Sequence, residues 1–484
     1  MTYSKSLVWF RRDLRLQDHR ALSEACRQSK QVYVVFVLDT NILNRLSEKQ
    51  DRRVAFIHEA LVDLDKGLMS HGGRLIVLHG NPIELIPQLA QELAVEAVFT
   101  NEDYEAYAKT RDHQVAKALH NLGVDWHSFK DHVVFSGSEI LKSDGTPYRV
   151  FTPYKKAWLR ALKADHVAEA KPNFKRLASM SPAMAKKWSL PGLPALGFKA
   201  VDSGMEATVK AAKKALADFK KQMKAYADRR DFPAEKGTSQ LSVYLRFGLI
   251  SIRSCVRAAR ETRSKGAQTW LSELIWRDFY QMILDQFPHV ESEAFQEKYR
   301  NIKWPGKPAH FKAWCKGQTG YPLVDAAMRQ LNQAGWMHNR LRMVVASFLV
   351  KDLLIDWRKG EEYFATKLLD FDKAANNGGW QWCASTGCDA QPYFRIFNPV
   401  SQSKKFDPEG EFIRQWVPEL AWFEDKDIHF PSDTPESRRP QGFQIGKDYP
   451  APVVDHQNQR YLALRLFDGT KYLFRKHRKT GSAI

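Results

Sequence analysis

Cysteine is scarce in this sequence of 484 residues. The five cysteines are scattered and odd in number, and no two of them form a CxxC pair. Disulfide-dependent domains are dense in cysteine, and structural zinc sites hold theirs in closely spaced pairs. The sequence therefore argues against a disulfide framework and a zinc site, and it favours a reducing compartment.

Long hydrophobic runs are also missing. Lys351 and Asp352 interrupt the best candidate for a membrane span, so no run of about eighteen apolar residues remains. Near the N-terminus a short apolar run follows Lys5 and meets Arg11 and Arg12, which does not fit a signal peptide. We expect a cytoplasmic protein that has no membrane partner.

Glycine-rich nucleotide motifs do not occur either, since the sequence has no GxGxxG and no GxxxxGK[ST]. From Leu7 to about Asp131, β-branched runs nonetheless alternate with amphipathic stretches, which predicts a parallel sheet covered by helices. The strands are SLVWF, VYVVFVL, RLIVLHG and EAVFTNE, and the helices are Asp51–His71, Pro82–Leu93 and Tyr107–Leu122. Residues 1–131 are thus predicted to form an α/β doubly wound, Rossmann-like domain with its ligand site at the carboxyl ends of the strands.

The charge balance of the chain is strongly basic. Its formal net charge is +19, while 44% of the residues are hydrophobic and 12% aromatic, as in a folded protein. Such a charge points to a polyanionic partner, most commonly a nucleic acid. The alternative is that these charges only keep the protein surface solvated and bind no partner.

Helical periodicity dominates the second half of the chain. Residues 132–204 form a connector rich in Pro, Gly and Lys, with one short helix at Pro153–Leu162. From Met205 nearly to Phe423 the spacing is helical and strand signals are almost absent, which predicts an all-α domain with limits at residues 205–475.

The stretch after Asp425 is rich in Pro and basic residues. One helix, Gln457–Leu466, is predicted there, and the terminal basic run is predicted to be a solvated tail.

The stretch Trp336–Phe397 is the least typical of a protein core. Apolar residues at helical spacing from Ala346 to Trp357 predict a buried helix, yet charged and amide side chains flank it next to tryptophans. Burying such groups costs on the order of several kcal/mol unless they are paired or bound to something. A satisfied polar network, including an Arg342–Asp370 ion pair, and a pocket for a flat polar heterocycle are both open interpretations.

Several segments of the sequence are distinctive when taken together. GWMHNRLRM, DLLIDW, AANNGGWQW and PYFRIFNP follow VWFRRDLRL in this order. They resemble the photolyase/cryptochrome family, above all its class I members that repair cyclobutane pyrimidine dimers, and the resemblance extends to about Tyr449.

The resemblance implies an all-α C-terminal domain that binds FAD and DNA. It also implies an enzyme, a carbon–carbon lyase in which excited, reduced FAD gives an electron to a flipped-out dimer. The implied partner is UV-damaged DNA, at the nucleoid when bound, and the chain is expected to act as a monomer without an obligate protein partner.

The segment GTSQLS, residues 237–242, opens a predicted helix and gathers hydroxyls near free backbone N–H groups. This arrangement suits a pyrophosphate, although ordinary N-capping explains it equally well. By resemblance, the residues that bind FAD are Tyr226, Thr238, Ser239, Gln240, Leu241, Ser242, Trp270, Arg277, Arg342, Asp370, Asp372 and Asn376. Arg230 and Asp231 belong to the same resemblance and receive no role.

The segment WLSELIWRDFY places Trp270, Glu273, Trp276 and Arg277 along one helical face. A Glu273–Arg277 surface pair beside packed aromatics is one interpretation. By resemblance, Glu273 instead hydrogen-bonds the dimer. The substrate or DNA contacts implied in this way are Glu273, Trp276, Asn339, Arg340, Met343 and Trp382.

Three tryptophans far apart in sequence, Trp304, Trp357 and Trp380, match the family's electron-transfer chain, through which photoexcited oxidised flavin is reduced. Without the resemblance they would be core residues. Asn376 matches the residue that faces flavin N5. We count these four with Glu273 as the catalytic set.

The family's α/β domain carries a light-harvesting antenna. Tyr107 and Ala108 stand where the folate-type branch has an Asn-Glu pair, so methenyltetrahydrofolate is disfavoured and 8-hydroxy-5-deazaflavin is expected. The residues implied in binding it are Arg11, Phe36, Asp39, Asp103, Glu105 and Arg246. For Asp103 and Glu105, capping of the next helix is the alternative.

Four residues bear on the branch of the family. Asn339 and Met343 stand where (6-4) photolyases have histidines, and Asn376 and Trp382 are of the repair type. A dimer-repairing photolyase is therefore expected. The alternatives are a cryptochrome-like blue-light photoreceptor that binds FAD without repairing DNA, and a basic nucleic-acid-binding protein without flavin.

Overall fold

The computed structural model describes residues 2–480, and of residues 470–480 it describes the backbone alone. The chain forms two compact units. The first comprises the chain up to Tyr148 with Thr152–Lys224 and Ser239–Gln286, and the second comprises Arg149–Phe151, Ala225–Thr238 and the chain from Phe287 onward. The domain limits 1–131, 132–204 and 205–475 stay a prediction.

The first unit is built on a five-stranded parallel sheet. Its strands β1 to β5 are Tyr3–Phe10, Ser29–Asp39, Leu75–Gly80, Ala97–Asn101 and Asp125–Phe129. They lie in the order β3-β2-β1-β4-β5, and every neighbouring pair is parallel. The central strand is buried on both faces, since Leu7, Val8 and Phe10 are 0% exposed. The predicted parallel α/β fold is confirmed.

Helices make up most of the remaining structure. The described residues contain 20 α-helices, α1 to α20 in chain order: Arg20–Gln28, Thr40–Leu43, Arg52–Met69, Pro82–Glu92, Ala106–Asn121, Phe151–Ala161, Pro182–Lys187, Val209–Gln222, Tyr226–Arg229, Ser242–Phe247, Ile252–Arg260, Lys265–Gln286, Pro308–Lys316, Pro322–Ala334, Asn339–Ser347, Trp357–Lys367, Lys373–Cys383, Pro399–Phe406, Glu411–Trp416 and His456–Thr480. The three helices predicted between the strands of the sheet correspond to α3, α4 and α5. Beyond β5 the described residues contain no further strand, as the helical periodicity predicted.

Three elements of the α/β part were not predicted: α1, the four-residue helix α2 and β5. Helix α1 is mostly charged and polar, and it buries only four residues, Ala21, Leu22, Ala25 and Cys26. Strand β5 lies at the edge of the sheet and pairs only with β4, so its sequence DWHSF is only half-buried. Elements that bury little apolar surface leave a weak periodic signal.

The buried helix predicted from Ala346 to Trp357 is interrupted. After α15 the chain makes one π-helical turn at Phe348–Asp352, and α16 begins only at Trp357. The continuous helix was therefore a wrong prediction. Leu354 has a φ of 52°, which a right-handed helix does not accommodate, and the side chain of Asp356 then caps α16.

The second unit packs around α13 to α17. Trp314, Leu341, Val345 and Phe348 are buried at its centre, each at most 1% exposed. This apolar cluster fixes the helices that carry the polar residues of the Trp336–Phe397 stretch.

Helix α20 is longer than the predicted Gln457–Leu466 and continues to Thr480. It is held to the second unit by Nδ1 of His456, 2.5 Å from Oδ1 of Asp352, and by Phe467, whose ring centroid lies 3.5 Å from Nζ of Lys351. The terminal basic run was predicted to be a solvated tail, and this prediction concerns side chains that lie outside the described ones. Within residues 2–480 no helix combines the length and apolarity that a bilayer span requires.

Candidate functional site

Helix α17 carries three of the predicted site residues. Asp372 caps its N-terminus by accepting a hydrogen bond from the Ala375 backbone N–H at 3.1 Å. Asn376 and Trp380 are buried on the helix, whereas Trp382 is half-buried. The spacing of four residues from Asp372 to Asn376 to Trp380 places them along one side of the helix.

The other side of α17 is held by the protein itself. Nδ2 of Asn377 donates to the Val290 carbonyl oxygen at 2.9 Å, and Nε2 of Gln381 donates to the same oxygen at 3.1 Å. Because these buried amides are satisfied within the second unit, they rigidify the helix.

Arg342 and Asp370 form the ion pair that the sequence allowed. Nη2 of Arg342 lies 2.8 Å from Oδ2 of Asp370, and Nε of Arg342 donates to the Met337 carbonyl oxygen at 2.9 Å. The Asp370 side chain is only 2% exposed, and its Oδ1 has no hydrogen-bond partner among the described residues. A buried carboxylate oxygen without a partner is costly, so it offers an acceptor to a bound ligand.

The residues expected on the substrate side begin α15. Asn339 is exposed, and Arg340 is engaged by its neighbours: Nη2 lies 2.9 Å from Oδ1 of Asp231, and the guanidinium lies 4.4 Å from the ring centroid of Phe406. Met343 is half-buried, with its sulfur 3.8 Å from Nη1 of Arg340. Asp231, for which no role was expected, thus holds Arg340 in place.

His338 was missed entirely. It caps α15, since its Nδ1 accepts from the Arg340 backbone N–H at 3.1 Å. Burial lowers its pKa to about 4, so the imidazole is neutral at physiological pH. The sequence does hold a signal for this role, because His338 stands directly before the polar first turn of a helix, where a capping residue is expected.

The three tryptophans of the expected electron-transfer chain all lie in the second unit. Trp380 and Trp357 are 3% exposed, and Trp304 is half-buried. The Trp380 ring packs 5.0 Å from that of Phe364, and the Trp304 ring packs 6.0 Å from that of Phe467. The structure therefore places two members in the core and one nearer the surface.

The segment GTSQLS has the backbone of a tight loop. An added Cβ at Gly237 would lie 2.4 Å from the Arg229 carbonyl oxygen, so only glycine fits there. Gln240 has a φ of 51°, and α10 starts directly after Leu241, whose side chain does not cap it. Tyr226 is buried at the start of α9, with the Arg230 guanidinium 5.3 Å from its ring centroid.

Helix α12 of the first unit carries the other expected contacts. Trp270 is buried with its ring 4.9 Å from that of Phe219, while Glu273 and Trp276 are half-buried. Nη1 of Arg277 donates to the carbonyl oxygen of His132. The helix therefore presents Glu273 and Trp276 more openly than Trp270.

Asp278, the next residue of α12, was not singled out from the sequence. Its Oδ2 accepts from the backbone N–H groups of Val134 and Phe135 and from Nε1 of Trp158, at 3.0, 3.2 and 3.0 Å. Burial raises the pKa of Asp278 to about 6. This carboxylate ties the helix to the connector.

The expected antenna residues meet at the carboxyl edge of the sheet. Nη1 of Arg12 lies 3.1 Å from Oδ1 of Asp103 and 2.9 Å from Oε1 of Glu105. Glu105 occupies the cap position of α5 without a side-chain hydrogen bond to that helix, so pairing with Arg12 replaces the capping role. Burial raises the pKa of Asp103, but Arg12, Arg11 and further arginines lower it more, and the net result lies below the ordinary value.

Two further residues expected to bind an antenna lie on β2. Phe36 is buried on β2, and Oδ2 of Asp39 at the end of that strand accepts from the Tyr107 hydroxyl at 2.6 Å. Arg246 is among the arginines that lower the pKa of Asp103. Arg12 and Tyr107 are contacts that the sequence did not reveal, because ion pairing across distant segments leaves no local pattern.

Comparisons with known proteins agree with this architecture. Residues 6–174 match the DNA photolyase family, and residues 270–469 match the FAD-binding domain of DNA photolyase. A relative from Vibrio cholerae serotype O1, named deoxyribodipyrimidine photo-lyase, is 41% identical over 96% of this chain and 99% of its own length.

Solved structures show the same similarity. A bacterial class III photolyase from Agrobacterium tumefaciens superposes with a TM-score of 0.89 at 34% identity, covering 98% of both chains. A cryptochrome from Synechocystis sp. PCC6803 superposes with a TM-score of 0.84 at 28% identity, covering 96% of this chain and 100% of that one.

An α/β part followed by a helical FAD-binding part defines a two-domain flavoprotein. The chain belongs to the photolyase/cryptochrome family.

The residues of the second unit fit an FAD group. Oδ1 of Asp370 keeps an acceptor without a partner in the described part of the chain, next to the Arg342 guanidinium. On α17, a Cβ added at Gly379 would meet no described atom within 4 Å apart from its chain neighbours and the backbone of its own helix, so the space beside this glycine is open. A flat heterocycle with donors and acceptors is the kind of group that these features accommodate.

Proposed function

We propose that this protein repairs cyclobutane pyrimidine dimers in DNA with the energy of light, as a deoxyribodipyrimidine photo-lyase. The observation that carries the proposal is the buried Arg342–Asp370 pair with its unused carboxylate oxygen, within the segment that matches the FAD-binding domain of DNA photolyase. The names of full-length relatives at about 40% identity support it.

The protein's part in this reaction is binding, orientation and exclusion of water. When bound and reduced, FAD supplies the light-driven electron that splits the cyclobutane ring. Arg342, Asp370, Asp372 and Asn376 would hold the flavin ring system, and Tyr226 would adjoin the phosphate loop. The family resemblance extends this set to Thr238, Ser239, Gln240, Leu241, Ser242, Trp270 and Arg277.

Substrate recognition would rest on deformability. A dimer has lost part of its pairing and stacking, so flipping it out costs less than the few kcal/mol that an intact base demands. Stacking on Trp276 and Trp382 would return roughly 1–3 kcal/mol per base. Glu273 would accept hydrogen bonds from the dimer.

Three further residues complete the assigned substrate side. Asn339 and Met343 would contact the dimer or its flanking DNA. Arg340 would act from a fixed position, because Asp231 and Phe406 already hold its guanidinium.

Trp380, Trp357 and Trp304 would pass electrons inward when the oxidised flavin is photoreduced. Their burial supports this assignment, since Trp380 and Trp357 are in the core and Trp304 is half-buried.

A second chromophore, 8-hydroxy-5-deazaflavin, would bind at the carboxyl edge of the sheet. Arg12, Arg11 and Arg246 all lower the pKa of Asp103, so arginines gather near this carboxylate and could pair with a chromophore whose hydroxyl group ionises. Mass and fluorescence of the chromophores released on denaturation test this. A methenyltetrahydrofolate mass would overturn the assignment.

The setting of the reaction follows from the same proposal. The protein would act on UV-damaged DNA as a monomer in the cytoplasm, without an obligate protein partner. Its net charge of +19 supports a polyanionic partner. Raising the salt concentration should weaken binding to damaged and undamaged DNA alike, because phosphate contacts do not depend on sequence.

The decisive experiment uses reduced protein and an oligothymidine that carries one cyclobutane dimer. Under blue light we expect recovery of thymine absorbance, with none in a matched dark sample. A normal flavin spectrum without recovery would overturn repair and favour a photoreceptor. A protein that binds no flavin would overturn both.

A further inference from the structure

Helix α16 packs against α17 through one narrow face. Gly360, Glu361 and Phe364 are buried on it, whereas the adjacent Lys359 and Glu362 are exposed. This face contacts Asn376 and Trp380, the two residues of α17 to which the proposed function gives roles beside the flavin and in electron transfer.

The first contact fixes the orientation of the Asn376 amide. Nδ2 of Asn376 lies 3.0 Å from the main-chain carbonyl oxygen of Glu361. A carbonyl oxygen can only accept, so the nitrogen of the amide must face α16. The amide oxygen of Asn376 is then the atom left for a ligand.

The second contact ties the Glu361 side chain to the first turn of α17. Oε1 of Glu361 accepts from Nδ2 of Asn377 at 3.2 Å and lies 3.4 Å from Nζ of Lys373. The residue is 5% exposed. One buried carboxylate therefore holds α17 on both sides of Asn376 in sequence.

The third contact is steric. A Cβ added at Gly360 would lie 2.1 Å from Cη2 of Trp380 and 2.5 Å from Cδ2 of Leu349. The Trp380 indole thus occupies the space that any other residue at 360 would need. Phe364, one turn further along, packs 5.0 Å from the same indole.

We propose that the Gly360–Glu361 step of α16 is a positioning element for the flavin site. The main-chain carbonyl of Glu361 orients the Asn376 amide, the Glu361 carboxylate holds the first turn of α17 against that carbonyl through Asn377 and Lys373, and Gly360 sets the position of Trp380. The inference rests on the proposed function, because Asn376 and Trp380 act there. Neither Gly360 nor Glu361 contacts substrate in this scheme. They act through α17.

The test for Glu361 compares three variants of the full-length protein loaded with FAD. Glu361→Leu removes the charge and the side-chain acceptor of Asn377 but keeps the main-chain carbonyl that Asn376 faces. Glu361→Gln keeps a side-chain acceptor of the same size, and Glu362→Gln removes an exposed charge from the same helix. The readout is the fraction of flavin semiquinone during stepwise reduction, followed by its visible spectrum.

We expect Glu361→Leu to change that fraction by about fivefold, the equilibrium shift of one net hydrogen bond, because loss of the bond to Asn377 releases the turn of α17 that carries Asn376. Glu361→Gln should fall between Glu361→Leu and the parent, and Glu362→Gln should match the parent. If Glu361→Leu fails to fold, the semiquinone fractions of Glu361→Gln and Glu362→Gln are compared instead, and a difference between them supports the role of Glu361. Spectra equal for the Glu361 and Glu362 variants would overturn the role of Glu361.

Gly360→Ala tests the steric part, with Lys359→Ala as the exposed control on the same helix. The added methyl must displace the indole, so photoreduction of the oxidised flavin should slow severalfold while chemically reduced enzyme keeps its repair yield. An unchanged photoreduction rate in Gly360→Ala would overturn the role of Gly360.

These outcomes separate the inference from the proposed function. If the parent binds FAD but leaves dimers intact, repair is refuted while the semiquinone and photoreduction readouts still decide the role of α16. If the parent binds no FAD, both are refuted.

Discussion

The Arg342–Asp370 pair offers a quantitative test of the site. Arg342→Met would remove the guanidinium that lies 2.8 Å from Oδ2 of Asp370. The Asp370 side chain is 2% exposed, and its Oδ1 already has no hydrogen-bond partner within residues 2–480. The substitution would therefore leave both carboxylate oxygens buried without the cation that compensates them.

The expected cost follows from burial. Removing one partner of a fully buried ion pair destabilises a protein by about 3–5 kcal/mol. Since the Arg342 side chain is 27% exposed, we expect the lower end, about 3 kcal/mol, for Arg342→Met. Asp370→Asn should cost less, about 1–2 kcal/mol, because the remaining guanidinium reaches solvent.

The assay is a double-mutant cycle on urea denaturation of the protein without added FAD. The double variant Arg342→Met/Asp370→Asn should be more stable than the sum of the single effects predicts, with a coupling of roughly 1.5 kcal/mol. Arg358→Met is the matched control, because the Arg358–Asp356 pair is 2.6 Å long but its arginine is 47% exposed. Its expected cost is below about 1 kcal/mol.

Equal effects of Arg342→Met and Arg358→Met would refute the argument that burial makes the first pair costly to break. A coupling near zero would show that Asp370 does not depend on Arg342. With FAD added, both single variants should also bind the flavin more weakly, measured by fluorescence titration, if the pair belongs to the flavin pocket.

Three further outcomes can be tested independently. Burial lowers the pKa of Lys351 to about 7, so between pH 7 and the ordinary lysine pKa the unfolded chain binds more protons and stability rises with pH. Between pH 7 and 8.5 this group should raise the free energy of unfolding by about 1.5 kcal/mol. Lys351→Met should abolish this rise, as measured by urea denaturation at a series of pH values. If the variant kept the same dependence of stability on pH, Lys351 would not be its source. Glu273→Ala should lower the repair yield with FAD still bound, since it removes a substrate contact only. An unchanged yield would refute the assignment of Glu273 as a substrate contact. Trp380→Phe should block photoreduction of oxidised flavin yet spare repair by chemically reduced enzyme; loss of repair there would mark Trp380 as structural.

The parts of the fold that bury continuous apolar surface were predictable. The strands corresponding to β3 and β4, and helices α3 and α4, were assigned close to their observed limits because each has a strong apolar pattern, whereas the predicted β1 and β2 began three residues late. The break before α16 was not predictable, since the apolar spacing continues through Leu353. Leu354 adopts a φ of 52° there for tertiary reasons that spacing does not encode.

The residues of the site were easier to predict than the contacts that they make. The Arg342–Asp370 pair was one of the stated possibilities, because two opposite charges in an apolar stretch invite pairing. Asp231 as the partner of Arg340 was not predictable, because the two lie more than a hundred residues apart and ion pairing has no sequence period. Glu361 had no signal at all, since a glutamate in an amphipathic helix is ordinarily a surface residue.

The contrast between two buried carboxylates indicates which part of the helical unit faces a ligand. Glu361 is compensated within the protein, by Asn377 at 3.2 Å and Lys373 at 3.4 Å. Asp370 has one oxygen on Arg342 and one with no hydrogen-bond partner in the described chain. A folded protein without ligand bears the cost of that second oxygen, about 1–3 kcal/mol, and a ligand that donates a hydrogen bond to it recovers this cost on binding. The two carboxylates therefore differ in role: Glu361, compensated by the protein, holds α17 in place, and the uncompensated oxygen of Asp370 is an atom at which a ligand can gain binding energy.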